Sequence, residues 1–328
     1  MPVVASSRFG FSVLLAMTLV ALHATGARAD TYPNRPVRLI VPFAAGGLND
    51  VVARLIAPYL ERSLGQPFVI DNRPAASGIV GTDAAAKALP DGYTLLMVAS
   101  SFTVVPATHP KLPYDAERHL APIGMVAKNP LLFLVNPKVP AHSLAEFVEL
   151  ARANPGKLNY ASPGAATQTH LVIELFSRKA NIKLQHIPYR GGAPAMTAMV
   201  AGDTQFTAIS TLLSLPQLEA GALRAIANGS LSRDAQLPDL PTIAEQGFPG
   251  FEAIQWIGLL TTAGTPHDVV ERINAELNRA LRDPDLVAKF AQQGLSPAGG
   301  TPTDFQRTIA TDLKNWTETA RAANITAD

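Results

Sequence analysis

Residues 37–64, VRLIVPFAAGGLNDVVARLIAPYLERSL, constrain the fold more than any other stretch of the chain. The first five are β-branched and apolar enough for a strand buried on both faces. Beyond them Val51, Val52, Leu55, Ile56, Tyr59, Leu60 and Leu64 recur at spacings of three and four, the stripe of an amphipathic helix. Phe43, Ala44, Ala45, Gly46 and Gly47 join the two. A helix that begins just after two glycines turns unpaired N–H groups and the positive end of its dipole towards the loop. Such a corner suits an anion, although the same residues also read as an ordinary strand-to-helix connection of an α/β protein. With no G-x-G-x-x-G and no G-x-x-x-x-G-K-[ST] present, the anion is not expected to be a nucleotide.

Residues 1–29 read as a secretory leader. Arg8 supplies the positive start, residues 9–22 the apolar run, and Ala27-Arg28-Ala29 the cleavage site before Asp30. The run is short for a membrane span, and no later stretch is long and apolar enough for one. The expectation is a soluble mature protein in the periplasm. The chain has no cysteine, which excludes disulfides, thiolate metal sites and lipid attachment, and leaves stability to a hydrophobic core. Removing Arg8 and Arg28 from 27 basic residues, against 26 acidic ones, leaves a formal charge of −1. That balance favours neither nucleic acid nor an anionic membrane.

About 300 mature residues exceed what one core usually serves, so two domains are expected. From residue 37 to 99 the pattern is β-α-β-α-β with short connections, which predicts a mostly parallel sheet with helices on both faces. Residues 106–122 read as a connecting segment, and residues 123–127 and 131–135 as two separate strands, the second entering a new unit. Ser143 and Glu146 have capping-box spacing at the start of a helix. A short strand at 159–161 then opens into Ser162-Pro163-Gly164-Ala165-Ala166-Thr167-Gln168-Thr169, and a helix follows from His170. The second unit thus repeats strand, small polar loop and helix start, and two such corners face to face would make one anion-binding cleft. Helices around 268–281, 286–293 and 304–323 close the chain. Packed back on the first domain, they imply two chain crossings and a hinge.

No catalytic constellation emerges: there is no G-x-S-x-G, no H-E-x-x-H and no acidic cluster with metal spacing. The chain is not expected to be an enzyme, and neither cofactor nor metal is expected. His170 follows a Ser/Thr-rich loop, where it is either a general base or a hydrogen-bonded histidine of the first helical turn. Arg190 precedes two glycines, where it either holds a carboxylate bidentately or stabilises the loop. Ser162, Thr167 and Thr169 either donate to a carboxylate or cap the helix. Trp256 reads as core.

The segments YPNRPVRLIVPFAAGGLNDVVAR, NRPAASGIVGTDAAAKALPDGYTLL, YASPGAATQTH, HIPYRGGAPAMTAMVAGD, LPDLPTIAEQGFPGFEA and TTAGTP occur in this order. In that combination the chain resembles the Bug family of periplasmic solute receptors, which serve tripartite tricarboxylate transporters. The resemblance runs from about Tyr32 to the C-terminus. It implies a periplasmic-binding-protein-like α/β fold: two α/β domains with a central ligand cleft and two hinge crossings. Divided accordingly, residues 30–128 with 253–328 form one domain and residues 129–252 the other. It also implies a monomer that captures a small organic carboxylate and delivers it to membrane permease subunits. The alternative is a receptor whose closed form is presented to a sensor kinase. Carried over by position, the ligand residues are Phe43, Ala44, Ala45, Gly46 and Gly47; Ser100 and Ser101; Ser162, Gly164, Ala166, Thr167, Thr169 and His170; and Tyr189, Arg190, Gly191, Ser210 and Thr211. Two positions depart from the family pattern. Ala45 stands where proline is usual, and Ser210-Thr211 where many members carry Asp or Asn, so a carboxylate without an amine is the expected ligand.

Overall fold

The computed structural model describes residues 32–109, 111–234 and 236–327, and the expected leader lies outside them. Along the first half the elements are β1 (Val37–Val41), α1 (Leu48–Leu64), β2 (Phe68–Asn72), α2 (Ile79–Ala86), β3 (Thr94–Ala99), α3 (Ser101–Thr108) and β4 (Leu120–Val135). There follow α4 (Leu144–Ala153), β5 (Asn159–Ser162), α5 (Gln168–Ala180), β6 (Gln185–Pro188), α6 (Gly192–Ala201), β7 (Phe206–Ser210), α7 (Thr211–Glu219) and β8 (Arg224–Asn228). The last elements are β9 (Ile254–Thr262), α8 (His267–Ala280), α9 (Pro284–Gln292), β10 (Ser296–Gly299) and α10 (Pro302–Ala323).

The opening strand and helix form as their periodicity predicts, with Val52, Ile56, Leu60 and Leu64 of α1 buried. At α4 the Ser143 hydroxyl accepts the Glu146 N–H, while the Glu146 carboxylate reaches back to the N–H of His142. Three elements were not foreseen: α3, α7 and β10. In α3 the β-branched Thr103, Val104 and Val105 disfavour a helix locally. Burial of Phe102, Val104 and Val105 on one element outweighs that preference.

β4 is one strand of 16 residues rather than the two expected on either side of Pro130. Leu131 N–H donates to Ala253 O, so Pro130, opposite Ile254, falls on a non-hydrogen-bonded position of the β4–β9 ladder. On its other side β7 ends opposite Leu131. The missing proline N–H therefore leaves no strand acceptor without a donor, and the strand continues.

The sheet order is β2-β1-β3-β9-β4-β7-β5-β6, with β8 and β10 also paired to β4. The parallel sheet expected of residues 37–99 forms as β2-β1-β3, while the sheet as a whole is mixed. Each outer set of three, β2-β1-β3 and β7-β5-β6, is parallel. The central pairs β3-β9, β9-β4 and β4-β7 are antiparallel, because β4 leaves the first half for the second and β9 returns.

One core gathers Ile40, Leu96, Val98, Trp256, Phe305 and Ile309. Another gathers Phe133, Phe147, Phe176 and Phe206, with the Phe133 ring edge-on to Phe176 at 5.0 Å and to Phe206 at 5.2 Å. Each such ring contributes roughly 1.5–3 kcal/mol by burial alone. Helix α10 belongs to both cores, through Phe305 and Ile309 at one end and Trp316 and Ala320 at the other. Gly258 makes room for it, since a Cβ there would lie 2.2 Å from Phe305 Cζ. α10 thus ties the two cores together.

Candidate functional site

Three helices begin on one cleft. Leu48 opens α1, Ser101 opens α3 and Gln168 opens α5, and all three residues line a cavity of about 500 Å³. The first N–H groups of a helix have no intrahelical partner, and each N-terminus carries a partial positive charge. Among the described residues no Asp, Glu, Lys or Arg lies on this wall. The cleft can therefore attract an anion through oriented backbone dipoles and neutral donors alone.

The first corner is held by a carboxylate behind it. Gly46, at φ 80°, makes the turn that a side chain would strain, and its N–H donates to Asp50 Oδ2 at 2.8 Å. Asp50 is 2% exposed and also accepts from Arg54 Nε at 2.9 Å and Asn72 Nδ2 at 2.9 Å. Burial pushes its pKa up, but the bonds from Arg54, Gly46 and Asn72 outweigh burial and hold it at about 2. Asn49, next on the wall, has a buried Oδ1 without a hydrogen-bond partner among the described residues. An orphaned acceptor of this kind calls for a ligand or water.

The second corner is held by neutral groups. Ser162 Oγ donates to Gly164 O at 2.8 Å and lies 2.6 Å from His186 Nε2, which on that bonding carries the proton. His170 Nδ1 accepts the Ala166 N–H at 3.2 Å and fixes Ala166 at φ 55°. The two imidazoles stack at 3.8 Å. Burial, and for His170 also the charge of His186, lowers both pKa values to about 4, so both rings are neutral near pH 7. Thr167 Oγ1 donates to Gly164 O at 2.8 Å and caps α5 at the N–H of His170.

Gln168 ties the second corner to the start of α3 and to β9 across the floor. Its Oε1 lies 2.5 Å from Ser100 Oγ, and its Nε2 donates to Ile254 O at 2.6 Å. Behind the floor Trp256 Nε1 donates to Asp312 Oδ2 at 2.8 Å. Burial raises the pKa of that carboxyl to about 6, against the bonds from Trp256 and Thr103.

Of the residues expected from sequence, Ser100, Ser101, Ala166, Thr167 and Thr169 are on the wall. Phe43, Ala44, Ala45, Gly46 and Gly47 run directly into the wall residues Leu48 and Asn49, and Gly164 lies between the wall residues Pro163 and Ala165. The others are placed elsewhere, each for a visible reason. Ser162 is fully buried and its hydroxyl serves its own loop and His186. His170 is 8% exposed and engaged by Ala166, which matches the hydrogen-bonded alternative rather than the general base. Tyr189 packs on the apolar cluster of Leu132, Ala161 and Met196. Arg190 is exposed off the wall, and Gly191 begins α6 beyond it. Ser210 O accepts from Ser214, while buried Thr211 donates to Pro130 O. Sequence reasoning missed Asn49, Gln168, Gln255, His109 and the edge of Trp256, all on the wall. Only Gln168 carried a signal, standing inside a loop already marked as polar.

Two strand-to-helix corners of an α/β fold thus line one cleft, with three helix starts on its wall. Residues 52–325 match the model of the tripartite tricarboxylate transporter family receptor, TctC, and the chain belongs to that family. It is similar to Protein BugT of Bordetella pertussis, with 37% identity over 300 residues, 91% of this chain and 92% of that protein. A structure of an R. palustris protein with adipate is 33% identical, with a TM-score of 0.71 over 90% of this chain and 99% of the other. A TctC solute-binding protein from Polaromonas without ligand is 25% identical, with a TM-score of 0.82 over 89% of this chain and all of the other. Among the described residues no helix is long and apolar enough to cross a membrane, and no cluster of side chains could hold a metal ion.

Proposed function

We propose that this chain is a periplasmic receptor that captures a small organic carboxylate in the cleft and delivers it to permease subunits of a tripartite tricarboxylate-type transporter. The observation that carries the reading is the convergence of three helix N-termini on a wall free of charged side chains. A carboxylate gains from those dipoles and N–H groups, whereas a sugar gains only hydrogen bonds and a cation is repelled. A wall without a carboxylate offers an ammonium no ion pair, which disfavours amino acids. The adipate bound to the R. palustris relative supports the ligand class.

Residues 129–252 would swing against the rest about the strand crossings at 129–130 and 253–254, bringing the second corner over the first. Secretion through a leader at residues 1–29 would place the receptor in the periplasm.

A thermal-shift screen of the purified protein against carboxylates, amino acids and sugars tests the reading. A ligand at a hundred times its Kd adds about 2.7 kcal/mol, a clear rise in Tm. One class of carboxylates should give it. Stabilisation by sugars or amino acids alone would overturn the assignment.

A further inference from the structure

The floor of the cleft has a fixed hydrogen-bond polarity, and it begins at a strand end. Ser100 N–H donates to Trp256 O as the last rung between β3 and β9. The chain then departs into α3, so Ile254 O, two residues before Trp256 and on the same edge of β9, has no strand to meet. The Gln168 amide takes the vacant rung, with Nε2 2.6 Å from Ile254 O. A carbonyl only accepts, so the amide end facing it is the NH₂ group. The other end is then Oε1, 2.5 Å from Ser100 Oγ, and it too only accepts. The single hydroxyl proton of Ser100 is committed to Gln168, and what Ser100 Oγ has left for the cleft is a lone pair. Ser100 is 4% exposed and Gln168 7%, both on the wall.

We propose that the ligand is a hydroxy-carboxylate, whose hydroxyl group donates to Ser100 Oγ, with Gln168 as the positioning residue that makes Ser100 an acceptor. This rests on the carboxylate reading and deepens it: the helix N-termini take the carboxylate and the floor reads the carbon chain. A carboxylate oxygen at Ser100 would meet a lone pair, and a bare methylene would leave that acceptor unpaired and dehydrated. A neutral oxygen gives an ammonium no charge to replace its hydration. A site built to bond a hydroxyl discriminates strongly against the analogue that lacks it.

Calorimetry with matched pairs tests this: malate against succinate, and 2-hydroxyglutarate against glutarate. The hydroxylated member of the better-fitting pair should bind at least about tenfold tighter. In Ser100→Ala the two members should come within about threefold of each other, through loss of the hydroxylated one. In Gln168→Met, which frees the Ser100 proton to donate, the preference should shrink or invert. Equal affinities in the wild type, a preference that survives Ser100→Ala, or aspartate binding tighter than malate each overturns the proposal. Tight binding of succinate or glutarate without preference would sink the hydroxyl inference and leave the carboxylate receptor standing. Failure of every carboxylate to bind the folded protein would remove both.

Discussion

The two corners of the cleft look alike in sequence, a strand running through a small loop into a helix, yet they are held by opposite means. The first is organised by charge: buried Asp50 pulls in the Gly46 N–H, Asn72 and Arg54. The second is organised without charge, by the hydroxyls of Ser162 and Thr167 and by two neutral imidazoles. The difference follows depth. Arg54 keeps its side chain 55% exposed, so the charge of Asp50 is met at the surface. Ser162 and His170 sit behind the second loop, where an ion would be expensive to dehydrate. Both devices fix loop geometry from behind and leave the first N–H groups of α1 and α5 open to the cleft.

The N-caps extend the contrast. Gly47 caps α1 with no side-chain bond, whereas Thr167 caps α5 with its hydroxyl. Gly47 has φ −74°, which any residue adopts, but a Cβ there would come 3.2 Å from Ala44 O. In Gly47→Val the branched side chain would press on that carbonyl and cover the N–H groups that must meet the ligand. Carboxylate binding should fall about 100-fold, about 2.7 kcal/mol by calorimetry, with the fold retained. Unchanged affinity would mean that the first corner does not touch the ligand. Asp50→Ala should act on stability instead, leaving the Gly46 N–H and Asn72 unsatisfied at a cost of about 2 kcal/mol in urea unfolding. A loss below about 0.5 kcal/mol would show that the glycines hold the turn without the carboxylate.

The parts of this architecture that depend on periodicity and local chemistry were legible in the sequence. The strand and helix of residues 37–64, the Ser143 cap and the alternation through residue 228 all follow from spacing and capping rules. The convergence of three helix starts was two-thirds legible, because α3 is written in β-branched residues whose helical state is decided by burial. Gln168 could be seen as a loop residue, but its role depends on Ser100, 68 positions away, and on an edge carbonyl exposed only because β3 ends where it does. Ser162 shows the converse failure. A hydroxyl in a polar loop reads as a ligand donor until the neighbouring strand brings His186 to it. The continuity of β4 through Pro130 was not legible, because whether a missing proline N–H matters depends on register, which sequence alone does not supply.

Acidification separates the two corners. Asp50 titrates from 3.8 unfolded down to about 2 folded, so its stabilisation is complete above pH 3.8 and is lost only as pH falls towards 2. His170 and His186 titrate near 6.5 unfolded and near 4 folded. Between those values the unfolded chain binds more protons, so stability falls as pH drops from 6.5 to 4. Asp312 slopes the other way: with a folded pKa near 6 against 3.8 unfolded, its proton stabilises the fold more as pH falls through that range. A bare pH–stability curve therefore mixes opposing contributions, and the informative quantity is the difference between the wild type and His186→Gln, in which Asp312 cancels. Glutamine keeps an amide donor for Ser162 and has no proton to gain. From pH 7 to pH 5 the wild type should lose about 1 kcal/mol more than the variant, after allowance for partial solvent screening of the ring. Carboxylate affinity should hold to pH 5 and fall only towards pH 4, where His170 gains its proton and turns a donor on the Ala166 N–H that it now accepts. Parallel curves for the two proteins would mean that the imidazoles charge without cost in the folded state, and the second corner would then be no more neutral than the first.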